Sequence, residues 1–299
     1  MNETPAHQKR YFLSGVGFDA PPLPAGLYVV ATPIGNLRDM TIRGLETLAA
    51  VDLVLCEDTR TSGKLFEHFG MKSHRQALHE HNERARIGEI LDRIRQGQAI
   101  ALISDAGTPL LSDPGFPLLR ALAEENLPVF AIPGASALLS GLVVAGLPTD
   151  SFSFLGFLSP KAGARANALA ELAGKRETLV FYESPRRLAD SLAAMAEAFG
   201  AERQAAVALE LTKKFERVSR GTLAELAAIY AEDATRGEAV VLVAGAAEPQ
   251  AASAEDWQAA LGAALADQPL RAAVEEITEA FGLKRKEVYN AALALKADR

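Results

Sequence analysis

Short apolar runs alternate with amphipathic segments from Leu27 to about residue 134. The runs have the length of buried strands, and the segments between them repeat apolar residues every three or four positions, as an amphipathic helix does. Residues 37–51 show this spacing at Ile42, Leu45, Leu48 and Ala49. The predicted strands lie at 27–31, 52–58, 76–82, 99–104 and 128–134, and further helices at 84–96 and 117–126. Strands that alternate with helices in this way predict right-handed crossovers and a parallel sheet.

A second series of strands follows the turn-rich sequence GLPTD at 146–150. These strands are predicted at 152–157, 177–183, 205–211, 215–221 and 238–245. The later ones are not all separated by enough residues for a helical crossover, which parallel neighbours require. We therefore expect the second sheet to be mixed.

The end of the chain has only helical patterns. One apolar stripe contains Leu270, Val274, Ile277 and Phe281, and another contains Val288, Ala292 and Leu295. They predict two helices separated by FGLKRKE, similar to a helix-turn-helix. The predicted organisation is α/β, with a flexible arm at 1–25, α/β domains at 26–148 and 149–247, and a helical tail at 254–299.

Composition narrows the class of protein. With 49% hydrophobic and 23% charged residues, the 299-residue chain can bury a sizeable core. A net charge of −7 excludes a global positive field that attracts nucleic acid, so any such contact must be local. The single cysteine, Cys56, excludes an intramolecular disulfide. No apolar stretch is long enough to span a bilayer and no secretory signal is evident, so we expect a cytoplasmic protein without a membrane partner.

Unusual loops follow several of the predicted strands. ATPIGNLRD, CEDTRTSG, SDAGTPLLSDPG and IPGASAL follow strands of the first sheet, and GFLSPKAG, YESPRR and ELTKKFE follow strands of the second. Any one of them is explained by turn chemistry, in which Gly and Pro set backbone angles. Together they favour a ligand cleft, because ligands of open parallel sheets bind beyond the carboxyl ends of the strands.

Two of these loops have the clearest ligand chemistry. Asp105 can accept hydrogen bonds from ribose hydroxyls or pair with an ammonium, although an Asx-turn or a helix N-cap explains it equally well. Ser136 and Ala137 open a helix whose free amides attract an anionic group, and Ser136 can also be its N-cap. The acidic loop without lysine suits a neutral or zwitterionic ligand better than a triphosphate.

Other residues with metal-binding, nucleophilic or charged side chains can be explained by structural roles. His79 and His81 have metal-ligand spacing but no clear third ligand, so no metal site is expected. Cys56 lies beside Glu57 and Asp58, which would raise a thiol pKa, and is interpreted as a packing residue. Basic residues cluster in loops and can form local phosphate contacts or a solvated surface: Arg186, Arg187, Lys213, Lys214, Arg217, Arg220 and residues 284–286.

The loop sequences resemble one family as a set. VATPIGNLRDMTIRGLETL, VLCEDTRTSGKLF, LHEHNE, ALISDAGTPLLSDPG, IPGASAL, FLGFL, LVFYESPRR and ELTKKFE occur in order from about 27 to 245. They are similar to the ribosomal RNA small-subunit methyltransferase I family, a branch of the tetrapyrrole-methylase-like (class III) methyltransferases. The tail sequence FGLKRKEVYNAAL also resembles that family's helical domain.

The resemblance implies S-adenosylmethionine (SAM) in a cleft between two α/β domains, a homodimer, and 2′-O-methylation of a cytidine in the decoding region of 16S rRNA within the small ribosomal subunit. It implies a cofactor site at Asp105, Ala106, Gly107, Thr108, Ser136, Ala137, Glu183 and Leu211. PIGN replaces the glycine-rich first loop of tetrapyrrole-methylating relatives, which favours RNA as substrate. The expected substrate contacts are Pro33, Gly35, Asn36, Arg60 and Arg186.

Removal of the hydroxyl proton would need a base or a cation near the acceptor oxygen. Glu57 and Asp58 are the first candidates and Lys213 another, unless these charges simply pair with one another. Two alternatives remain: a small-molecule methylase with a tetrapyrrole-like substrate, and a nucleic-acid-binding protein that has lost catalysis. The second alternative predicts RNA binding without SAM affinity.

Overall fold

The computed structural model describes residues 9–232, 237–247 and 254–297 of the chain. The chain divides into two compact units, Met1–Gly245 and Ala246–Arg299. Both predicted sheets belong to the first unit, and the division between them at residue 148 stays a prediction. None of the helices in the described part of the chain has the length and apolar character needed to cross a bilayer.

The expected flexible arm contains a β-hairpin, so this prediction was wrong for residues 10–19. Strands β1 (Arg10–Leu13) and β2 (Val16–Asp19) pair antiparallel around Ser14 and Gly15, whose φ angles are 49° and 82°. Two successive left-handed residues form the tight turn that matches the twist of a hairpin. Tyr11 is buried in the core of the first sheet, which attaches the hairpin to the unit. Residues 1–8 lie outside the described residues.

The first sheet is fully parallel, as predicted, with the strand order β5-β4-β6-β3-β7. Its strands are β3 (Gly26–Val30), β4 (Leu53–Cys56), β5 (Arg75–Ala77), β6 (Ala99–Leu102) and β7 (Val129–Ile132). The helices are α1 (Ile42–Ala50), α2 (Thr59–His68), α3 (Glu83–Arg95), α4 (Phe116–Glu124) and α5 (Ala137–Ala145). Apolar cores cover both faces of the sheet, one around Val54 and Ala101 and the other around Leu55 and Ile100.

The second sheet is mixed, as predicted, with the strand order β11-β10-β12-β9-β8. Only β8 and β9 pair in parallel. Its strands are β8 (Phe152–Phe157), β9 (Thr178–Glu183), β10 (Gln204–Leu209), β11 (Arg217–Thr222) and β12 (Ala239–Val243), and its helices are α6 (Ala162–Leu172), α7 (Leu188–Phe199) and α8 (Leu223–Glu232).

Helix α5 joins the two sheets. It follows the last strand of the first sheet, yet its residues Leu138 and Leu142 pack against Val180, Ala206 and Val240 of the second. The opposite face of the second sheet is buried by α7 and α8. The carboxyl ends of the first sheet's strands are thereby brought to the α5-facing side of the second sheet.

The described residues of the second unit form three helices, one more than predicted: α9 (Ala254–Asp267), α10 (Leu270–Phe281) and α11 (Arg285–Ala297). The two predicted stripes are correct, because Val274, Ile277 and Val288 are buried in one core. Helix α9 completes this core with Trp257 and Leu261, which are four residues apart and therefore lie on one helix face.

Candidate functional site

The first unit contains a cavity of about 330 Å³ where loops of the first sheet meet strands of the second. This volume falls within the range of small-molecule sites, which are mostly apolar with a few convergent polar groups. The cavity is lined by Ile34, Asp105–Thr108, Leu111–Asp113, Ala137, Phe157, Tyr182–Ser184, Ala208, Leu211 and Gly237–Val240.

The loop from Ser104 to Gly115 is the largest contributor and is held rigidly. Thr32 and Gly107 exchange two backbone hydrogen bonds, of 2.8 and 3.0 Å, and the Thr108 hydroxyl donates to the carbonyl of Ala135 at 3.1 Å. Leu110 and Ser112 have left-handed φ angles of 76° and 71°. Such backbone conformations are costly outside glycine and concentrate at ligand sites. The loop is therefore a rigid wall of the cavity.

Asp105 connects this loop to the preceding strand end. It is exposed at the cavity, and its Oδ1 accepts a 3.2 Å hydrogen bond from the backbone N–H of Asp58. Of the other predicted cofactor residues of the first sheet, Ala106, Gly107, Thr108 and Ala137 line the cavity. Ser136 is buried behind the cavity and is the N-cap of α5, where its hydroxyl accepts from the N–H of Leu139 at 3.4 Å.

Tyr182 occupies part of the helix terminus that the sequence suggested for an anion. Its hydroxyl accepts a 3.2 Å hydrogen bond from the N–H of Leu138 in the first turn of α5. Burial raises the pKa of Tyr182, so it stays neutral. This contact ties β9 to the start of α5 inside the cavity wall.

The carboxylates near the cavity differ in their proton affinity. Burial and then the negative charge of Glu57 raise the pKa of Asp113 to about 6. Partial burial and then the charge of Asp105 raise the pKa of Glu57. Asp58 is the N-cap of α2 and pairs with Arg60 at 2.8 Å, and the hydrogen bonds from Arg60 lower its pKa to about 2. Asp58 is thus a poor proton acceptor, whereas Glu57 and Asp113 bind a proton more readily than an ordinary carboxylate does.

Glu183 and Leu211 reach the cavity from the second sheet in different ways. The buried Glu183 carboxylate accepts from the backbone N–H of Ser184 at 2.7 Å, the Ser191 hydroxyl at 2.6 Å and the Arg187 guanidinium at 3.2 Å. It therefore fixes the YESPRR loop. Leu211 is a buried apolar lining residue between Glu210 and Thr212, whose φ angles of 51° and 65° are left-handed.

Lys213 forms ion pairs next to the cavity and does not line it. Its Nζ lies 2.9 Å from Glu210 Oε1 and 3.1 Å from Glu238 Oε2. Burial opposes the charged form, but the two carboxylates outweigh it and raise the pKa of Lys213. Its side-chain stem covers Gly35, where an added Cβ would lie 2.4 Å from Lys213 Cγ. Lys213 is a bound cation that packs against the first loop.

The predicted substrate contacts do not line the cavity. Pro33, Gly35 and Asn36 flank the lining residue Ile34, and Asn36 is the N-cap of a short helical turn, Leu37–Asp39. Arg60 is exposed and paired with Asp58. Arg186 is exposed in the turn Pro185–Arg187 that follows β9.

Sequence reasoning missed the lining residues Ile34, Asp113, Phe157 and Tyr182, and the segment Gly237–Val240. Ile34, Phe157 and Tyr182 all belong to the strand-end loops, which was a usable signal. Asp113 lies in the loop SDAGTPLLSDPG and shared this signal, but its raised pKa could not be predicted, because it depends on Glu57 at a separate strand end.

The packing role expected for Cys56 agrees with its surroundings, whereas the expectation that His79 and His81 bind no metal stays a prediction. The described residues contain no group of three His, Cys, Asp or Glu side chains able to hold a metal ion. Cys56 is fully buried, and burial raises the pKa of its thiol. It is a packing residue.

Two family profiles match the chain. Residues 26–227 match the profile described as Tetrapyrrole (Corrin/Porphyrin) Methylases, and residues 251–296 match the RsmI C-terminal HTH domain. Solved structures are similar in fold at low identity. Cobalt precorrin-4 methyltransferase CbiF has a TM-score of 0.55 and 18% identity, covering 73% of this chain and 94% of its own. A Thermus thermophilus uroporphyrin-III C-methyltransferase, complexed with S-adenosylhomocysteine, has a TM-score of 0.52 and 18% identity, covering 73% and 97%.

Relatives of much higher sequence identity match most of the chain. Ribosomal RNA small subunit methyltransferase I of Mesorhizobium japonicum is 47% identical over 278 residues, which cover 93% of this chain and 94% of the relative. The protein of the same name from Pseudomonas aeruginosa is 46% identical over 271 residues, covering 89% and 96%. With both the catalytic fold and the terminal helical domain matched, the chain belongs to the ribosomal RNA small subunit methyltransferase I family.

Proposed function

We propose that this protein transfers the methyl group of SAM to the 2′-oxygen of a cytidine in the decoding region of 16S rRNA, with the small ribosomal subunit as substrate in the cytoplasm. Membership of the family supports SAM-dependent methylation of rRNA as the activity. The residues that line the cavity support its assignment as the cofactor site.

The chemistry of the lining fits this cofactor. The described lining residues include the acids Asp105, Asp113, Glu183 and Glu238 and no lysine or arginine. A phosphate-rich ligand would require basic groups. SAM instead combines a positive sulfonium with a flat adenine ring, which can pack against apolar side chains, and with ribose hydroxyls, which carboxylates can bind. Asp105, Ala106, Gly107, Thr108, Ala137 and Leu211 would hold it, with Ser136 and Glu183 fixing the walls.

Methyl transfer from a sulfonium is an in-line displacement that requires alignment and loss of the hydroxyl proton. SAM supplies the electrophilic methyl group. Glu57 and Asp113 are the residues that can take up the proton, because both have raised pKa values. Asp113 also lines the cavity. Lys213 is held as a cation and can contribute only positive charge.

The second unit offers a local basic surface for RNA. Lys284, Arg285 and Lys286 are exposed where α11 begins. Cationic side chains at a helix N-terminus are suited to phosphate contacts that position RNA without reading its sequence. Charge reversal at Lys284 and Lys286 should weaken binding of the subunit and reduce its salt dependence, with SAM affinity unchanged.

We also propose a homodimer. Apolar side chains are exposed on the edge strand β7, at Val129 and Phe130, and on α5, at Leu139 and Val143, the last with 75% of its surface accessible. The strand β7 and the helix α5 follow one another along the chain, and exposed apolar patches mark interaction sites. Val143→Glu should shift the molar mass measured by light scattering from dimer to monomer, and a wild-type monomer would contradict the proposal.

The decisive experiment is transfer from labelled SAM to small subunits that lack the modification. Label on a cytidine 2′-oxygen is the expected result, and it should be lost in Asp105→Ala. If the protein binds SAM and methylates a tetrapyrrole but not RNA, it is a small-molecule methyltransferase and the proposal is wrong.

A further inference from the structure

The strand β8 contains a bulge beside the cavity. Phe154 pairs with Val180, but the next pairs are Gly156 with Phe181 and Phe157 with Tyr182, so Leu155 is an extra residue. Paired residues of neighbouring strands share a face of the sheet. The bulge therefore moves Phe157 away from the core face, to which Leu155 belongs, and onto the face of Tyr182.

Gly156 makes this displacement possible. Its φ of +62° is left-handed, and a Cβ at this position would lie 2.9 Å from Ser112 Oγ. The bulge thus fits closely against the rigid cavity loop. Bulges next to active sites commonly re-aim a side chain.

Phe157 is the residue so redirected. It lines the cavity, yet 58% of its surface remains exposed. Its ring centroid lies 5.6 Å from that of Tyr182 at an interplanar angle of 62°, and Tyr182 makes a similar contact with Phe154 at 4.8 Å. Tyr182 is in turn fixed to α5 through Leu138. An aromatic ring is therefore held firmly and presented to solvent at the mouth of the cavity.

The charges nearby favour a nucleic acid over an apolar ligand. The exposed Lys161 follows β8 and the exposed Arg186 follows β9, so both lie in loops that continue from the strands of the aromatic pair. Single-stranded nucleic acids are bound by aromatic rings that stack on bases together with cations that contact the backbone. Enzymes that act on one nucleotide often extrude it from its stack.

We propose that Phe157 is the stacking surface for the base of the target nucleotide, holding the nucleotide at the mouth of the cavity with its ribose turned inward. This inference rests on the proposed function. It makes Phe157 a substrate-positioning residue that sequence alone did not indicate.

The test compares Phe157→Ala, Phe157→Leu and Phe157→Trp with the wild type. Phe152→Ala is the matched control, because Phe152 is a partly exposed residue at the other end of the same strand. For each protein, kcat/KM is measured on unmodified small subunits, and the Kd of SAM is measured by calorimetry.

We expect kcat/KM on subunits to fall about 10- to 100-fold in Phe157→Ala, and by nearly as much in Phe157→Leu, because leucine restores apolar area without a π face. Phe157→Trp should retain most of the activity, Phe152→Ala should resemble the wild type, and SAM affinity should be unchanged throughout.

Three results would overturn the inference while the wild type remains active: an unaffected Phe157→Ala, full activity of Phe157→Leu, or a loss of SAM affinity that accounts for the loss of activity. The last would assign Phe157 to the cofactor. An inactive wild type would instead overturn the proposed function on which the inference rests.

Discussion

The carboxylate of Asp105 and the backbone N–H of Asp58 are joined by a 3.2 Å hydrogen bond between the ends of β6 and β4. One aspartate thus links two strand-end loops while remaining exposed at the cavity. The carboxylate therefore has a structural role, and substitutions can separate this role from the proposed one of binding the cofactor.

Asp105→Asn keeps a side-chain oxygen that can accept from Asp58 but removes the charge. Charge-assisted hydrogen bonds contribute about 1.5–3 kcal/mol, so we expect SAM to bind about 10- to 100-fold more weakly to Asp105→Asn, and at least as weakly to Asp105→Ala. Calorimetric titration measures the Kd, with the exposed Asp150→Asn as a control. If Asp105→Asn binds SAM with wild-type affinity, the charge of Asp105 has no role in binding the cofactor and the residue is structural.

Gly35→Ala should disturb the contact between the first loop and Lys213. Gly35 has a φ of +152°, and the new Cβ would lie 2.4 Å from Lys213 Cγ. Since the Lys213 ammonium is held by Glu210 and Glu238, its stem cannot move freely. We expect a loss of about 1–3 kcal/mol in the free energy of unfolding, measured in urea.

Gly88→Ala is the matched control for that substitution. Gly88 lies inside α3 with nothing within 4 Å of an added Cβ. Alanine should therefore stabilise the protein by up to about 1 kcal/mol, because it restricts the unfolded chain and favours the helix. Equal effects of the two substitutions would contradict the proposed role of Gly35.

Glu183→Gln should destabilise the protein more than it weakens SAM binding. The buried carboxylate accepts three hydrogen bonds, one of them from Arg187. The amide keeps the shape but loses the charge and one acceptor atom, which should cost about 2–3 kcal/mol of unfolding free energy. If calorimetry instead shows a larger effect on SAM affinity than urea unfolding shows on stability, Glu183 contacts the cofactor directly.

Asp113 should make stability depend on pH. Its folded pKa of about 6 is raised above the ordinary 3.8, so its protonated form is favoured by folding. That contribution is fully present below about pH 4 and is lost as the pH rises through about 6. Asp113→Asn, which resembles the protonated form, should have nearly the wild-type urea midpoint at about pH 4 and a higher one at about pH 8. Parallel profiles of the two proteins would contradict the raised pKa.

The rule that ligands bind beyond the carboxyl ends of parallel strands located much of the cavity from the sequence, because these ends lie together at one edge of the sheet. It correctly singled out the loop with Asp105 and the start of α5 at Ala137 as cavity walls. It singled out the loop GFLSPKAG, which contains Phe157, but missed the side chain itself, because the bulge at Leu155 changes which face of the sheet Phe157 occupies. The hairpin was missed although Ser14 and Gly15 provide its turn, because proline and glycine nearby suggested a flexible arm.

Four residues near the cavity have left-handed backbone conformations, which lower the resistance of the protein to heat. Leu110, Ser112, Glu210 and Thr212 each adopt a conformation that costs a non-glycine residue about 1–2 kcal/mol. Thr212 is β-branched, and its buried hydroxyl has no hydrogen-bond partner among the residues that the structure describes. Glycine would relieve the backbone strain at each position. At Leu110, however, it would remove a side chain packed against the apolar core, and at Glu210 the carboxylate that holds Lys213. Adaptation of this enzyme to heat and retention of a rigid ligand site therefore make opposite demands on these residues.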